Sequence, residues 1–384
     1  MNMKKLSLAA LSMTLSATLL AGCGGAPATS TPAHTTGGGL RALEDTAPPL
    51  LTAGGAPPTT SPPAPTPAES APVETAVAAE AVKTGLSMVT SVAKSKDASA
   101  DGNGQAQANV ALVAVTVGDD GVIDACVIDA IQSKIDFDAQ GKLVTDPATK
   151  FSSKNELGEA YGMKKGSSIG KEWNEQAAAF AQYAVGKTVE ELKGIAVNED
   201  GQATDADLAA SVTLEVADFV SGIEAAVNNA SHMGAQKGDK LALTTSTNMD
   251  KSKDASADAD GLAQAYATVA AVTLNGDTVT SCYIDSVQAN VNFNAAGAIT
   301  TDLTAAQPTK NELGDAYGMK KKSEIGKEWN EQAAAFCAYV TGKTVDEVAG
   351  IAVTEDGDAA DADLAASVTI GIGEFQTLIE KAAQ

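Results

Sequence analysis

The residues with the clearest chemical potential are a set of hydroxyls. Asp205-Ala206-Asp207-Leu208-Ala209-Ala210-Ser211-Val212-Thr213 returns letter for letter as Asp361-Ala362-Asp363-Leu364-Ala365-Ala366-Ser367-Val368-Thr369. An acidic residue, then small residues, then a hydroxyl marks a place where a group can be attached to that hydroxyl. Ser211 and Thr213, with Ser367 and Thr369, stand just before an expected terminal helix, where serine and threonine commonly serve as caps. No Glu or Gln follows any of the four by three residues, so a full capping box is absent. A serine nucleophile needs a base. The chain has only two histidines, His34 and His232, outside every repeated segment, and no Gly-x-Ser-x-Gly elbow. Hydrolysis is disfavoured, and a histidine metal site or a Cys-x-x-Cys-His haem attachment is excluded.

Two copies of a segment require two copies of whatever positions it, and the repeats supply them. Lys94 to Asp101 recurs at Lys251 to Asp258, Asn155-Glu156-Leu157-Gly158 through Lys165 recurs from Asn311 to Lys321 with only Glu159 changed to Asp315, and Lys171 to Phe180 recurs from Lys327 to Phe336. The offset stays near 156 residues, a domain length and not a solenoid period. Two tandem domains are expected, at 79–230 and 235–384. In the first, Gly85 to Val92 reads as a strand, and Val110 to Val117 and Val122 to Ile131 as a hairpin about Gly118-Asp119-Asp120-Gly121. Thr268 to Leu274 and Val279 to Val287 match that hairpin in the second copy. Ile135, Phe137, Leu143 and Thr145 suggest a further ribbon around Gln140-Gly141. Trp173 to Ala184 reads as a helix with Gly186 just beyond it, and Thr188 to Glu191 as a capping box, repeated at Thr344 to Glu347. The last helices are expected at Ala217 to Asn228 and Gly373 to Ala383. The Val-Thr-Leu and Val-Thr-Ile-Gly-Ile runs before them suggest short strands. The class is α+β, an antiparallel sheet with flanking helices in each copy.

The N-terminus reads as an export signal over residues 1–22. Lys4 and Lys5 precede an apolar run from Leu6 to Leu20, and Leu20-Ala21-Gly22-Cys23 has the lipobox pattern of bacterial lipoproteins. Cys23 is then the expected lipidation site, tethering the protein to the outer face of the cytoplasmic membrane by acyl chains. Residues 23–78 are rich in Pro, Thr, Ala, Gly and Ser, a composition expected to form a disordered stalk. The formal charge of -23 argues against nucleic acid and anionic membrane surfaces as partners. Cys126, Cys282 and Cys337 are too few for a disulfide scaffold. A Cys282–Cys337 bond is conceivable, but all three read better as small buried hydrophobes.

The spacing of Asp205, Ala209, Ala210 and Ser211, and of Asp361, Ala365, Ala366 and Ser367, resembles the flavinylation motif of covalent FMN-binding domains, Asp-x-x-x-Gly-Ala-Thr/Ser. Alanine stands at the glycine place, and Leu208 or Leu364 at the preceding hydroxyl place. With the lipobox, the stalk and the duplication, the whole chain resembles the FMN-carrying extracellular electron-transfer lipoproteins of Gram-positive bacteria. That resemblance implies one FMN per domain, esterified through its phosphate by a flavin transferase to Ser211 or Thr213 and to Ser367 or Thr369. It also implies electrons received from a membrane quinol-oxidising system and passed to extracellular acceptors such as ferric iron. A phosphate ester close to a helix N-terminus would be electrostatically favoured.

Other repeated residues take two readings each. Trp173 and Trp329 offer an indole to stack on a flavin, or a core aromatic at a helix start. Tyr161 and Tyr317 lie in the Ala-Tyr-Gly-Met-Lys-Lys loop, where glycine permits close approach to a ligand. Lys164, Lys165, Lys320 and Lys321 can balance a phosphate or stand in solvent. Asp205 and Asp361 can hold the metal used in flavin attachment or simply begin a turn. A redox carrier is expected rather than a substrate-specific enzyme. The rival reading is a cofactor-free surface lipoprotein that binds a wall component, with the signal segment Leu15 to Gly22 as a pheromone source.

Overall fold

The computed structural model describes residues 80–384. The expected export signal, the lipidated Cys23 and the stalk lie outside the described residues.

The first repeat runs β1 (Ala81–Ser91), β2 (Gly104–Val117), β3 (Ile123–Phe137), α1 (Lys154–Leu157), α2 (Trp173–Ala184), α3 (Val189–Lys193), α4 (Ala206–Ala209) and α5 (Val216–Asn228). A connecting strand β4 (Ser231–Gln236) follows. The second repeat runs β5 (Lys240–Asn248), β6 (Gly261–Asn275), β7 (Thr278–Phe293), α6 (Lys310–Leu313), α7 (Trp329–Val340), α8 (Val345–Ala349), α9 (Ala362–Ala365) and α10 (Gly373–Ala382). Both are α+β, each an antiparallel sheet flanked by helices. The sheet orders are β3-β2-β1-β4 and β5-β6-β7. β4 thus completes the first sheet by pairing with β1, although it directly precedes the second repeat.

Alternation along the long strands builds the layers. Val113 and Val115 on β2 face one way and join Trp173, Phe180, Val216 and Ile223 from the helices. Val110, Leu112 and Ala114 face the other way and join Ala267, Val269 and Ala271 on β6. Ala270, Val272 and Leu274 of β6 then face Phe336, Leu378 and Ile379 in the second helical layer. Successive strand side chains point to opposite faces, so this parity sets the order helix, sheet, sheet, helix. Toward one end of the sheets Phe137 and Phe293, each fully buried, stack with centroids 4.2 Å apart and planes 5° from parallel.

A reciprocal clasp reinforces this shared core and explains one of the sequence repeats. The Asp97 carboxylate accepts from Ile299 N at 2.7 Å, and the Asp254 carboxylate from Leu143 N at 2.8 Å. Ala98 N donates to Gly297 O, and Ala255 N to Gly141 O. Each copy of the Lys-Ser-Lys-Asp-Ala-Ser-Ala-Asp segment therefore grips the other copy's turn, the self-complementary pattern of a two-fold contact. A Cβ on Gly141 would lie 2.8 Å from the Ala255 Cβ, and one on Gly297 2.6 Å from the Ala98 Cβ. Both glycines also have positive φ. The clasp requires glycine at both turns.

Several expected details are adjusted. Ile135 and Phe137 belong to β3, and the chain turns at Asp138–Gly141 so that Leu143 bridges back to Phe137. Ser211 to Leu214 and their counterparts form no strand; a four-residue helix, α4 or α9, precedes them instead. Strand propensity of Val and Thr is overridden because this stretch meets helix α2 or α7, with no strand edge to pair with.

Phe137→Ala removes half of the aromatic stack that both repeats share. Urea denaturation is expected to show one cooperative transition for the whole unit, with a loss of about 3–5 kcal/mol. Two resolved transitions, with only one shifted, would contradict a shared core.

Candidate functional site

Each copy of the site begins with a buried carboxylate. Asp129 on β3 accepts from Asn155 N at 3.0 Å and Ala130 N at 2.7 Å; Asp285 on β7 accepts from Asn311 N and Ser286 N at the same distances. These bonds pin the start of α1 and α6 to the sheet. Ser153 and Thr309 cap those helices in full capping boxes with Glu156 and Glu312. Burial is the largest effect on both carboxylates, raising Asp129 and taking Asp285 up to about 6, while hydrogen bonds from Thr309, Asn311 and Ser286 pull Asp285 the other way.

Pinning α1 and α6 places a lysine over an aromatic cluster. The Lys154 ammonium lies 4.6 Å from the Tyr161 ring centroid and 4.5 Å from that of Trp173. Lys310 sits 5.0 Å from Tyr317, 4.6 Å from Trp329 and 4.7 Å from Tyr266, whose hydroxyl it hydrogen-bonds at 2.9 Å. Such cation–π contacts are worth more once desolvated. Lys310 is only 5% exposed, and burial lowers its pKa, with Tyr317 partly opposing. Trp173 and Trp329 are core residues, edge-on to Phe219 and Phe375. Tyr161 and Tyr317 are half-buried beside them.

The next link is a second buried carboxylate. Glu172, the residue before α2, accepts from Met163 N at 2.8 Å and Lys164 N at 3.0 Å; Glu328 does the same for Met319 and Lys320. The Ala-Tyr-Gly-Met-Lys-Lys loop is therefore tied through its backbone to the tryptophan helix. The lysine side chains lie elsewhere, and Lys164 reaches Glu159 at 3.4 Å on the surface.

One turn into α2 the fully buried Gln176 makes the connection to the repeated hydroxyls. Its amide donates to Ser167 Oγ and Lys171 O, and its Oε1 accepts from Thr213 N at 2.8 Å and Thr213 Oγ1 at 3.1 Å. Gln332 repeats this with Ser323, Lys327 O, Thr369 N at 2.8 Å and Thr369 Oγ1 at 3.2 Å. A buried amide satisfied on both ends is a stiff tie.

Most of the nine-residue segment now has a structural role. Asp205 and Asp361 cap α4 and α9, each Oδ1 accepting from two backbone amides, Asp207 N and Leu208 N or Asp363 N and Leu364 N. Leu208, Val212, Leu364 and Val368 are buried anchors. Thr213 and Thr369 are held by glutamine. Ser211 and Ser367 are half-buried, between an exposed alanine and a buried valine, and their hydroxyls enter none of these bonds. Neither serine nor threonine caps α5 or α10, whose N-cap positions are Glu215 and Ile372 without a side-chain cap bond.

In the second repeat a cleft of about 540 Å³ opens beside Asp361, lined among others by Tyr339, Lys343 and Ile351. Burial raises the Tyr339 pKa, and the Asp361 carboxylate adds to it. Among the described residues no cluster of three or more His, Cys, Asp or Glu side chains is placed to hold a metal, and no helix is long and apolar enough to cross a membrane. Sequence reasoning missed Lys154, Glu172 and Gln176 with their partners Lys310, Glu328 and Gln332; their recurrence was the available signal. No protein-family model, curated protein or solved structure matches this chain.

Asp285 offers a direct check on the buried carboxylates. A raised acid pKa means that stability from this group is full below about pH 4 and is lost as pH rises through about 6. Carboxyl-carbon NMR is expected to place its midpoint near 6, and Asp285→Asn to flatten thermal stability across that window. An unchanged slope in the variant, with titration near the ordinary aspartate range, would contradict the burial argument.

Proposed function

We propose that this chain is a carrier of two covalently attached FMN groups, one on each repeat, that moves electrons outside the cell. The observation that carries the reading is the division of labour within the duplicated segment. Asp205, Leu208, Val212 and Thr213 fix its shape, as do Asp361, Leu364, Val368 and Thr369, and the hydroxyls of Ser211 and Ser367 are left over.

The residues present fit a phosphate ester at serine better than at threonine. An esterified oxygen no longer donates a hydrogen bond, and the Thr213 and Thr369 hydroxyls already donate to buried glutamines. Ser211 and Ser367 can be modified without breaking any of the bonds that hold the segment. The small neighbours Ala209, Ala210, Ala365 and Ala366 leave room for an attaching enzyme. In the second repeat the cleft beside Asp361, which Ser367 itself does not line, falls within the size range of small-molecule sites, and its lining offers an aromatic ring, an ammonium group and apolar carbons together with the Glu347 and Asp361 carboxylates. The indoles of Trp173 and Trp329 are enclosed by lysine and phenylalanine, so the reading assigns them to the core and not to flavin stacking.

The flavin, when bound, would supply one- and two-electron chemistry; the chain would set its attachment point and surroundings. Membrane attachment through Cys23, a quinol-oxidising membrane donor, a flavin transferase and acceptors such as ferric iron complete this proposal.

The test is intact mass and peptide mapping of the full chain produced with a bacterial flavin transferase. Two FMN units are expected, one lost in Ser211→Ala and one in Ser367→Ala, with Thr213→Ala and Thr369→Ala retaining both. Absence of any added mass would favour a cofactor-free binding protein.

A further inference from the structure

We propose that Cys282 and Cys337 close to a disulfide that staples α7 to β7 in the second repeat. Their sulfurs lie 3.0 Å apart, about 1 Å from the bonded distance of roughly 2.05 Å. Both residues are buried, Cys282 at 2% and Cys337 at 6% exposure, so neither has another partner to turn to. They are separated by 55 positions in the chain, and the link would close a long loop and restrict the unfolded ensemble accordingly.

The first repeat provides an internal comparison. Cys126 occupies the place of Cys282, but Ala181 occupies the place of Cys337, on the same buried face of the tryptophan helix. Apolar packing at that position is thus satisfied by alanine. A second cysteine opposite the first is extra chemistry, present in one repeat. Cys126, lacking a partner, is held protonated by burial, which pushes its thiol up to about 12. A cavity of about 520 Å³ opens beside both Cys282 and Cys337, bordered also by His232, Met233 and Thr341.

Closing the bond breaks two S–H bonds and forms one S–S bond. Two electrons and two protons pass to an oxidant of the small-molecule disulfide class, whose S–S bond breaks and which leaves as two thiols. Hydrogen bonding from Cys337 and burial hold the Cys282 thiol well above its ordinary range, and both sulfurs are covered once the chain has folded, so exchange with a reagent is slow in the folded protein. The bond therefore closes during folding, before the pair is covered. The inference stands on this pair alone and is independent of flavin attachment.

The experiment is refolding of the full chain from denaturant with oxidised and reduced glutathione, followed by alkylation in denaturant and digestion without reduction. The expected result is a Cys282 peptide joined to a Cys337 peptide, two hydrogens lighter than their sum. A Tm about 5 °C above that of chain refolded under dithiothreitol is also expected. Cys337→Ala, which copies Ala181, is expected to fold with unchanged circular dichroism and to leave Cys282 alkylated. Alkyl groups on both cysteines after refolding with oxidised glutathione would overturn the proposal, as would a glutathione adduct stranded on either one or a link from Cys282 to any other cysteine.

Discussion

Each repeat's sheet has two apolar faces, and its own helices cover only one of them. Leu112 and Ala114 on β2, with Val269 and Ala271 on β6, are the residues on the second face, and each sheet covers the other. A repeat alone would leave this face in water at a cost of roughly 25 cal/mol per Å² of apolar surface. The clasp between Asp97 and Ile299, and between Asp254 and Leu143, ties the two repeats together at one end of this interface. Duplication is therefore a requirement of the fold as well as a doubling of the site. It also assigns the two helical layers to opposite sides, so each Asp-to-Thr segment is served by its own outer surface.

Within each outer layer the same chain of buried polar ties runs from sheet to segment. Asp129 pins Asn155 at the start of α1, the neighbouring Lys154 covers Tyr161 and Trp173, Glu172 fixes the loop after Tyr161, and Gln176 holds Thr213. Every link is a side chain binding backbone or another buried group, a rigid arrangement that is costly to leave half-satisfied. Such a frame suits a fixed attachment point for a group that does the chemistry itself.

Much of this was legible in the residues. The apolar run Val110 to Val117 with its Gly118–Gly121 turn gave the hairpin, the 156-residue offset gave the duplication, and Thr188 to Glu191 announced α3 by its capping box. The face-to-face partnership was not legible, because a strand buried on both sides reads simply as continuously apolar. The short helix α4 escaped because four residues carry no periodicity; only Asp205 as its cap could have signalled it. Serine and threonine of Ser-Val-Thr were equivalent on paper. Only the buried amide of Gln176, 37 positions away, separates them.

The account turns on whether a flavin is joined to the polypeptide by a covalent bond. The most direct measurement is in-gel flavin fluorescence of the full chain, expressed beside a flavin transferase and run under denaturing conditions that strip any non-covalent cofactor. The account predicts fluorescence that migrates with the polypeptide and falls by half when either Ser211 or Ser367 is replaced by alanine. A non-fluorescent band, with flavin only at the dye front or nowhere, would contradict it.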